Sequence, residues 1–162
     1  MNENEKTVVL LKPDAHEKNV VEYIVEIIES HDIVIEKRYR CPKGSVPEEM
    51  LEFHYNNLPD VHRKNAVAYM LSGDITALLC SGENVVERMR ELGGTSFDPQ
   101  KCSEGTIRKL FSRDSGEASM REGRSVRNVI HTSDSVQSAV REIDIWFGGR
   151  FSSHCINESG GG

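Results

Sequence analysis

His131 is the residue around which chemistry can be assembled. It stands in Asn128-Val129-Ile130-His131-Thr132-Ser133-Asp134-Ser135, at the end of an apolar run and just before hydroxyls and a carboxylate. A neutral imidazole is a competent nucleophile near pH 7, and a carboxylate such as Glu142 within reach would fix the ring and support the positive charge that grows on it. The same part of the chain carries Arg90, Thr95 and Gly105-Thr106-Ile107-Arg108. Neither G-x-x-x-x-G-K-[ST] nor a G-x-G-x-x-G after a strand occurs, so a phosphate bound here has to be held by side chains rather than by a glycine-rich cradle.

Taken singly, each of these residues has an ordinary structural use. A lone histidine at a strand end is usually a hydrogen-bonded structural group. Arg90 suits a helix surface, Thr95 and Asn128 suit caps or turns, Tyr55 suits a core, Lys12 before Pro13 suits a solvated turn, and Glu142 suits an exposed helix face. Only their joint arrangement argues otherwise.

The elements that must position them follow from pattern. Thr7 to Leu11 is a buried-strand run stopped by Lys12-Pro13-Asp14. Val20, Tyr23, Ile24, Ile27 and His31 recur at helical spacing, which predicts a helix packed through that face. Ile33 to Tyr39 reads as a second strand, and Ser45-Val46-Pro47-Glu48 as a capping box opening a helix with Leu51 and Tyr55. Ser72-Gly73-Asp74 turns the chain into a third strand, Ile75 to Cys80. Val85, Met89 and Leu92 then give a helix ending at Gly93-Gly94. Val126 to His131 is the fourth strand, and Ser133-Asp134-Ser135 precedes a helix carrying Val136, Val140, Ile143 and Phe147 up to Gly148-Gly149. This order predicts an α+β fold, an antiparallel sheet covered by helices.

Composition narrows the function classes. With 162 residues and 37% hydrophobic content the chain supports one domain, expected over residues 1–151, with 152–162 as a flexible tail. A net charge of -6 argues against nucleic acid as a partner, because its phosphates are repelled by an acidic surface. An RNA-recognition sheet, which shares this strand and helix order, would also need an aromatic-rich strand motif that is missing. No apolar run approaches the roughly 20 residues that span a bilayer, and the polar start Met1-Asn2-Glu3-Asn4 is unlike a targeting peptide, so a cytoplasmic location is expected. Cys41, Cys80, Cys102 and Cys155 lack any C-x-x-C pair, predicting free reduced thiols and neither a zinc nor a redox motif.

The pattern gains specificity as a set. Thr7-Val8-Val9-Leu10-Leu11-Lys12-Pro13-Asp14-Ala15, Gly105-Thr106-Ile107-Arg108, the Asn128–Ser135 segment and Arg141-Glu142-Ile143-Asp144-Ile145-Trp146-Phe147 occur in order, with His54-Tyr55, Tyr69-Met70-Leu71-Ser72-Gly73 and Asn84-Val85-Val86 between them. From Thr7 to about Phe147 the chain resembles the nucleoside diphosphate kinase family.

That resemblance implies a ferredoxin-like βαββαβ fold and a ping-pong transfer from a nucleoside triphosphate to a nucleoside diphosphate through phospho-His131. It implies that Arg90, Thr95 and Arg108 grip the polyphosphate, and that Lys12 and Asn128 reach the ribose hydroxyl and the transferring group. Tyr55 would line the phosphate site, Ser133 and Glu142 would orient His131, and Asp134 would stand near a nucleotide-borne Mg²⁺. A homo-oligomer is also implied. Three departures stand out. The base-stacking position, usually phenylalanine, falls in a shortened stretch where His62 is the assigned residue and Val61 the alternative. Glu104 replaces a common proline. Finally, Ser112 to Ser125 makes the Arg108–Asn128 connection roughly ten residues longer than usual, a length loops accept; its polar composition predicts an exposed, mobile loop.

Overall fold

The computed structural model describes residues 5–151 and 154–160; the Met1–Asn4 start and residues 152–153 and 161–162 of the tail lie outside it. In chain order, the elements are β1 Lys6–Leu11, α1 Pro13–Glu17, α2 Val21–Glu29, β2 Val34–Cys41, α3 Glu48–His54, α4 Asp60–Leu71, β3 Ile75–Ser81 and α5 Val85–Gly93. A 3₁₀ turn at Pro99–Lys101 follows, then α6 Ile107–Phe111, α7 Gly116–Glu122, β4 Ile130–Thr132, α8 Val136–Phe147 and β5 Ile156–Asn157.

Among these residues the strands form one sheet in the order β4-β1-β3-β2-β5, every neighbouring pair antiparallel. Its first four strands reproduce the ferredoxin-like arrangement. β1 lies inside the sheet and is buried on both faces from Thr7 onward, which is why its sequence is a continuous apolar run and not an alternating one. Period-two alternation still sorts its side chains. Val9 and Leu11 join Ile24, Ile28, Met89 and Ile107 on one face, whereas Val8 and Leu10 join Met50, Leu51, Met70 and Trp146 on the other. Both leucines are fully buried, and truncating either to alanine would cost about 2–5 kcal/mol.

Several elements depart from the sequence reading. The core stripe of α2 is Ile24, Val25 and Ile28, while Tyr23 is exposed. In α8 it is Ala139, Glu142, Ile145 and Trp146, with Val136 and Val140 outside. The rest of the expected faces does pack: Val20 and Ile27 lie half-buried against one core, and Ile143 and Phe147 against the other. The Ser45 capping box does not form; Pro47 is the N-cap of α3, and the Ser45 hydroxyl donates instead to the Pro42 carbonyl. β4 begins only at Ile130, because Val129 has a positive φ of 61° and cannot continue a strand.

The cysteine expectation is corrected for one pair. Cys41 at the end of β2 is joined to Cys155, while Cys80 and Cys102 are buried free thiols. Spacing along the chain cannot reveal a bridge whose partners are 114 residues apart. The tail expected to be loose therefore carries that bridge and β5, which pairs Asn157 with Tyr39 and Ile156 with Arg40. The inserted segment also differs from a mobile loop. Ser115 caps α7 through the Ala118 amide, Gly116 and Ser119 are buried, and Arg124 donates to both carboxylate oxygens of Asp114.

Candidate active site

The site is built on a strained crossing between the ends of β1 and β4. Lys12, just past β1, donates its amide to the Val129 carbonyl at 2.8 Å, and Asp14 accepts the Val129 amide at 3.1 Å. The Ile130 amide reaches the Asn128 carbonyl at 2.7 Å, closing a tight three-residue turn around Val129. A β-branched residue at positive φ is disfavoured and persists only where its surroundings over-determine it. Here they do: Val129 is fully buried, and Asp14 is itself held by the Tyr69 hydroxyl. The turn delivers Ile130 to one core and His131 to the opposite face of the sheet, toward α3 and α8.

There His131 meets Glu142. The imidazole Nε2 lies 2.7 Å from Glu142 Oε1, which also accepts the Ser133 hydroxyl at 2.8 Å. Burial would raise the Glu142 carboxyl, but His131, His54 and Ser133 outweigh it and hold the group at about 2. An ionised carboxylate accepts only, so the ring proton sits on Nε2 and Nδ1 is the bare nitrogen. Ser133 is fully buried and His131 keeps some side-chain exposure, so the ring is anchored from behind and open in front.

Lys12 and Asn128 form the next layer. The ammonium of Lys12 donates to Asn128 Oδ1 at 2.8 Å, and Asn128 Nδ2 donates to the Phe97 carbonyl at 2.9 Å. Burial, reinforced by Arg108, lowers Lys12 to about 7 despite Asp14. Arg108 points its guanidinium at the backbone carbonyls of Ile130, Gly94 and Ser96. Gly94 is required for that approach: its φ is +116°, and a Cβ there would lie 2.7 Å from Cys102 Sγ and 3.4 Å from Arg108.

Arg90 is exposed on α5, with one nitrogen 3.4 Å from the Asp134 carbonyl. Thr95 is exposed in the connection after Gly94. Tyr55 caps the end of α3, its hydroxyl held protonated by burial and then by Glu142. Asp134 is exposed and accepts the Ser138 hydroxyl at 2.6 Å. His62 is exposed on α4, with no side-chain hydrogen bond among the described residues. Contacts therefore tie Lys12 to Asn128, His131 to Glu142 and Ser133, and Arg90 to the Asp134 backbone. His62 and Thr95 are outside those networks.

Sequence reasoning assigned no role to His54, Trp146 or Arg141. His54 is buried beside His131, ring centroids 4.8 Å apart, and accepts the Trp146 indole N–H at 3.1 Å. Arg141 donates to the carbonyls of Phe53 and His54. Their motifs were visible, but their contacts depend on how α3 packs against α8. Donor atoms of His54, His131 and Glu142 lie within 4.8 Å of one another, yet His54 Nδ1 faces Trp146 and His131 Nε2 faces Glu142, so the trio is bonded to its own framework and does not form an open metal cage.

Comparison with known proteins agrees with this geometry. A family model described as "Nucleoside diphosphate kinase" matches residues 5–150. A nucleoside diphosphate kinase of Clostridium perfringens is 33% identical over 88% of this chain and 91% of its own length. One from Aspergillus fumigatus is 36% identical, covering 89% and 86%. Among solved structures, an NDP kinase from Pyrobaculum aerophilum superposes with a TM-score of 0.81 at 28% identity, over 89% of this chain and 96% of the other. A nucleoside-diphosphate kinase from Borrelia burgdorferi, solved as a transition-state mimic with vanadate and ADP, gives 0.81 at 26% identity over 88% and 86%. With its sheet order, its buried Lys12–Asn128 pair and its anchored histidine, the chain belongs to the nucleoside diphosphate kinase family.

Proposed function

We propose that this enzyme moves the terminal phosphate of a nucleoside triphosphate onto a nucleoside diphosphate in two half-reactions through phospho-His131. The observation that carries the reading is the 2.7 Å contact from His131 Nε2 to an ionised Glu142, which leaves Nδ1 bare on a side chain that is 19% exposed. In the first half-reaction Nδ1 attacks the γ-phosphorus, the N–P bond forms, and the bond to the bridging oxygen breaks with the diphosphate as leaving group. Glu142 stabilises the positive ring throughout. In the second half-reaction a terminal oxygen of the acceptor diphosphate attacks phosphorus and the N–P bond breaks.

Transfer of this kind depends on positioning and charge neutralisation. Lys12, Arg90, Thr95, Arg108, Tyr55 and Asn128 are the groups proposed to supply both. Arg108 has to exchange some of its backbone carbonyls for phosphate oxygens, a favourable exchange for a guanidinium. Mg²⁺ is the proposed companion of the nucleotide, where it neutralises phosphate charge. Asp14, Glu142 and Asp134 are each hydrogen-bonded within the protein, which fits an ion whose shell comes mainly from phosphate and water, with Asp134 near it. Weak discrimination among bases is expected, because stacking, assigned to His62, tolerates every base.

One domain, which takes in β5 and the Cys41–Cys155 bridge beyond the expected 1–151 span, and a homo-oligomer complete the proposal; Tyr23 and Val34, large apolar side chains exposed on α2 and β2, support self-association. No helix among the described residues is long and apolar enough to cross a membrane. A cytoplasmic location is proposed from the supply of nucleotides, and the Cys41–Cys155 bridge argues the other way; alkylation of the thiols in freshly lysed cells separates the two. The function itself is tested by incubation with ATP and Mg²⁺ followed by intact mass. One phosphoryl group should appear on His131 and leave when GDP is added; an unchanged mass would defeat the proposal.

A further inference from the structure

We propose that His54 is a positioning residue for His131, and that the indole N–H of Trp146 sets its orientation. The inference rests on His131 as the phosphorylated group.

Three observations converge on it. First, Trp146 Nε1 can only donate, so His54 Nδ1, 3.1 Å away, must be bare and the ring proton must sit on Nε2. Second, the two imidazoles meet edge to face, 4.8 Å between centroids and 73° between planes. Third, Glu142 and Trp146 are four residues apart on α8, hence on one helix face, and both are buried there. That single face grips both rings, Glu142 through His131 Nε2 and Trp146 through His54 Nδ1. Arg141, the residue before Glu142, fastens the end of α3 by donating to the His54 carbonyl at 3.2 Å.

The physical consequence concerns the freedom left to His131. Its bond to Glu142 fixes one nitrogen but lets the ring pivot about that contact, swinging Nδ1 away from the line of attack. His54, only 4% exposed, is the wall that blocks the pivot. It also stays uncharged: burial, then the neighbouring His131, lowers its pKa to about 3. An immobile neutral ring restrains the nucleophile without opposing the positive charge that His131 acquires. Misplacing a reacting group by about 1 Å can cost on the order of a hundredfold.

The test measures single-turnover phosphorylation of His131 by saturating ATP and Mg²⁺ alongside ADP affinity. His54→Ala, which removes the wall, should slow phosphorylation by at least about tenfold with ADP Kd unchanged. His54→Phe keeps a ring and should stay within about threefold of the parent. Trp146→Phe removes the N–H that orients His54, so it should slow phosphorylation in the parent but add nothing in the His54→Phe background. Nitrogen-15 NMR should find a single Nε2–H tautomer of His54 in the parent and a mixture in Trp146→Phe. The proposal is overturned if His54→Ala phosphorylates at the parent rate, if its loss appears in ADP Kd, or if Trp146→Phe is equally damaging in both backgrounds. Should His54→Ala fail to fold, the His54→Phe and Trp146→Phe pair and the tautomer spectrum decide. Failure of the functional reading is distinct, since the parent itself would then take up no phosphate.

Discussion

Lys12 is held in a state that is costly for the empty protein and useful with a polyphosphate present. Its folded pKa of about 7 lies far below the ordinary 10.5, so between those values the unfolded chain binds the extra proton and the folded one does not. Stability therefore rises as pH climbs through that window, and the penalty for burying the charge is largest below pH 7. Lys12→Met should raise the Tm of the nucleotide-free protein at pH 6 while lowering kcat/KM at least about a hundredfold, as loss of a preorganised electrostatic contact does. An unchanged or lower Tm would show that Lys12 is stabilised as a cation in the empty site. Glu142 has the opposite role. Its depressed folded pKa contributes stability that is present above the ordinary value of 4.5 and is lost as pH falls toward about 2. Glu142→Gln should flatten acid unfolding over that range and slow His131 phosphorylation by about a hundredfold or more; an acid-unfolding curve identical to the parent's would contradict the assignment. The joint motif made Lys12, Asn128, His131, Ser133 and Glu142 legible in the sequence because each lies at a strand end or on the helix that follows. His54 was legible only as a landmark, since its use arises from a contact with Trp146 that is 92 residues distant.

At the scale of elements, apolar periodicity located α2, α5 and α8 but left α4, α6 and α7 unplaced, and within α2 and α8 it mixed covered residues with exposed ones. Val136 and Val140 repeat at helical spacing as well as Ala139, Ile145 and Trp146 do, and only the sheet decides which set is covered. The inserted segment failed for a different reason. Its polar composition suggested a solvated loop, yet local interactions suffice for a short helix: a serine cap, a paired Asp114 whose carboxyl is drawn to about 2 chiefly by the Arg124 hydrogen bond, and a glycine close against Phe97. Gln100 donates to the carbonyls of Arg113 and Asp114, and Phe97, whose ring lies against Gly116, holds Asn128 through its carbonyl. The insertion therefore braces the support of a site residue without touching His131. Shortening 112–125 to a minimal connection should leave phosphorylation of His131 intact while raising KM for nucleotide about three- to tenfold, on the order of 1 kcal/mol. Unchanged KM and unchanged oligomer size would mark the insertion as passive.

For the whole molecule, the antiparallel sheet with two covered faces could be read from strand and helix order, whereas the strand that closes its far edge could not. Ile156-Asn157 is too short to signal a strand, and its pairing with Tyr39 and Arg40 sits directly beside the Cys41–Cys155 bridge. The sheet order puts β4 and His131 at one edge and β5 at the other, four strand spacings away, on the order of 19 Å. Closing a 114-residue loop removes much of the freedom of the unfolded chain, an effect of about 4–5 kcal/mol at most in the chain-entropy account. Reduction should accordingly lower the urea midpoint and speed hydrogen exchange in residues 154–160, because two paired residues cannot hold the tail by themselves. The strands that carry the site keep their own pairing, β1 with β3 and with β4, so the rate of His131 phosphorylation should be the same in oxidised and reduced protein under native conditions. If the reduced protein, still folded by circular dichroism, took up phosphate markedly more slowly, the two edges of the sheet would be mechanically coupled and the bridge would belong to the catalytic apparatus as well as to the stability of the fold.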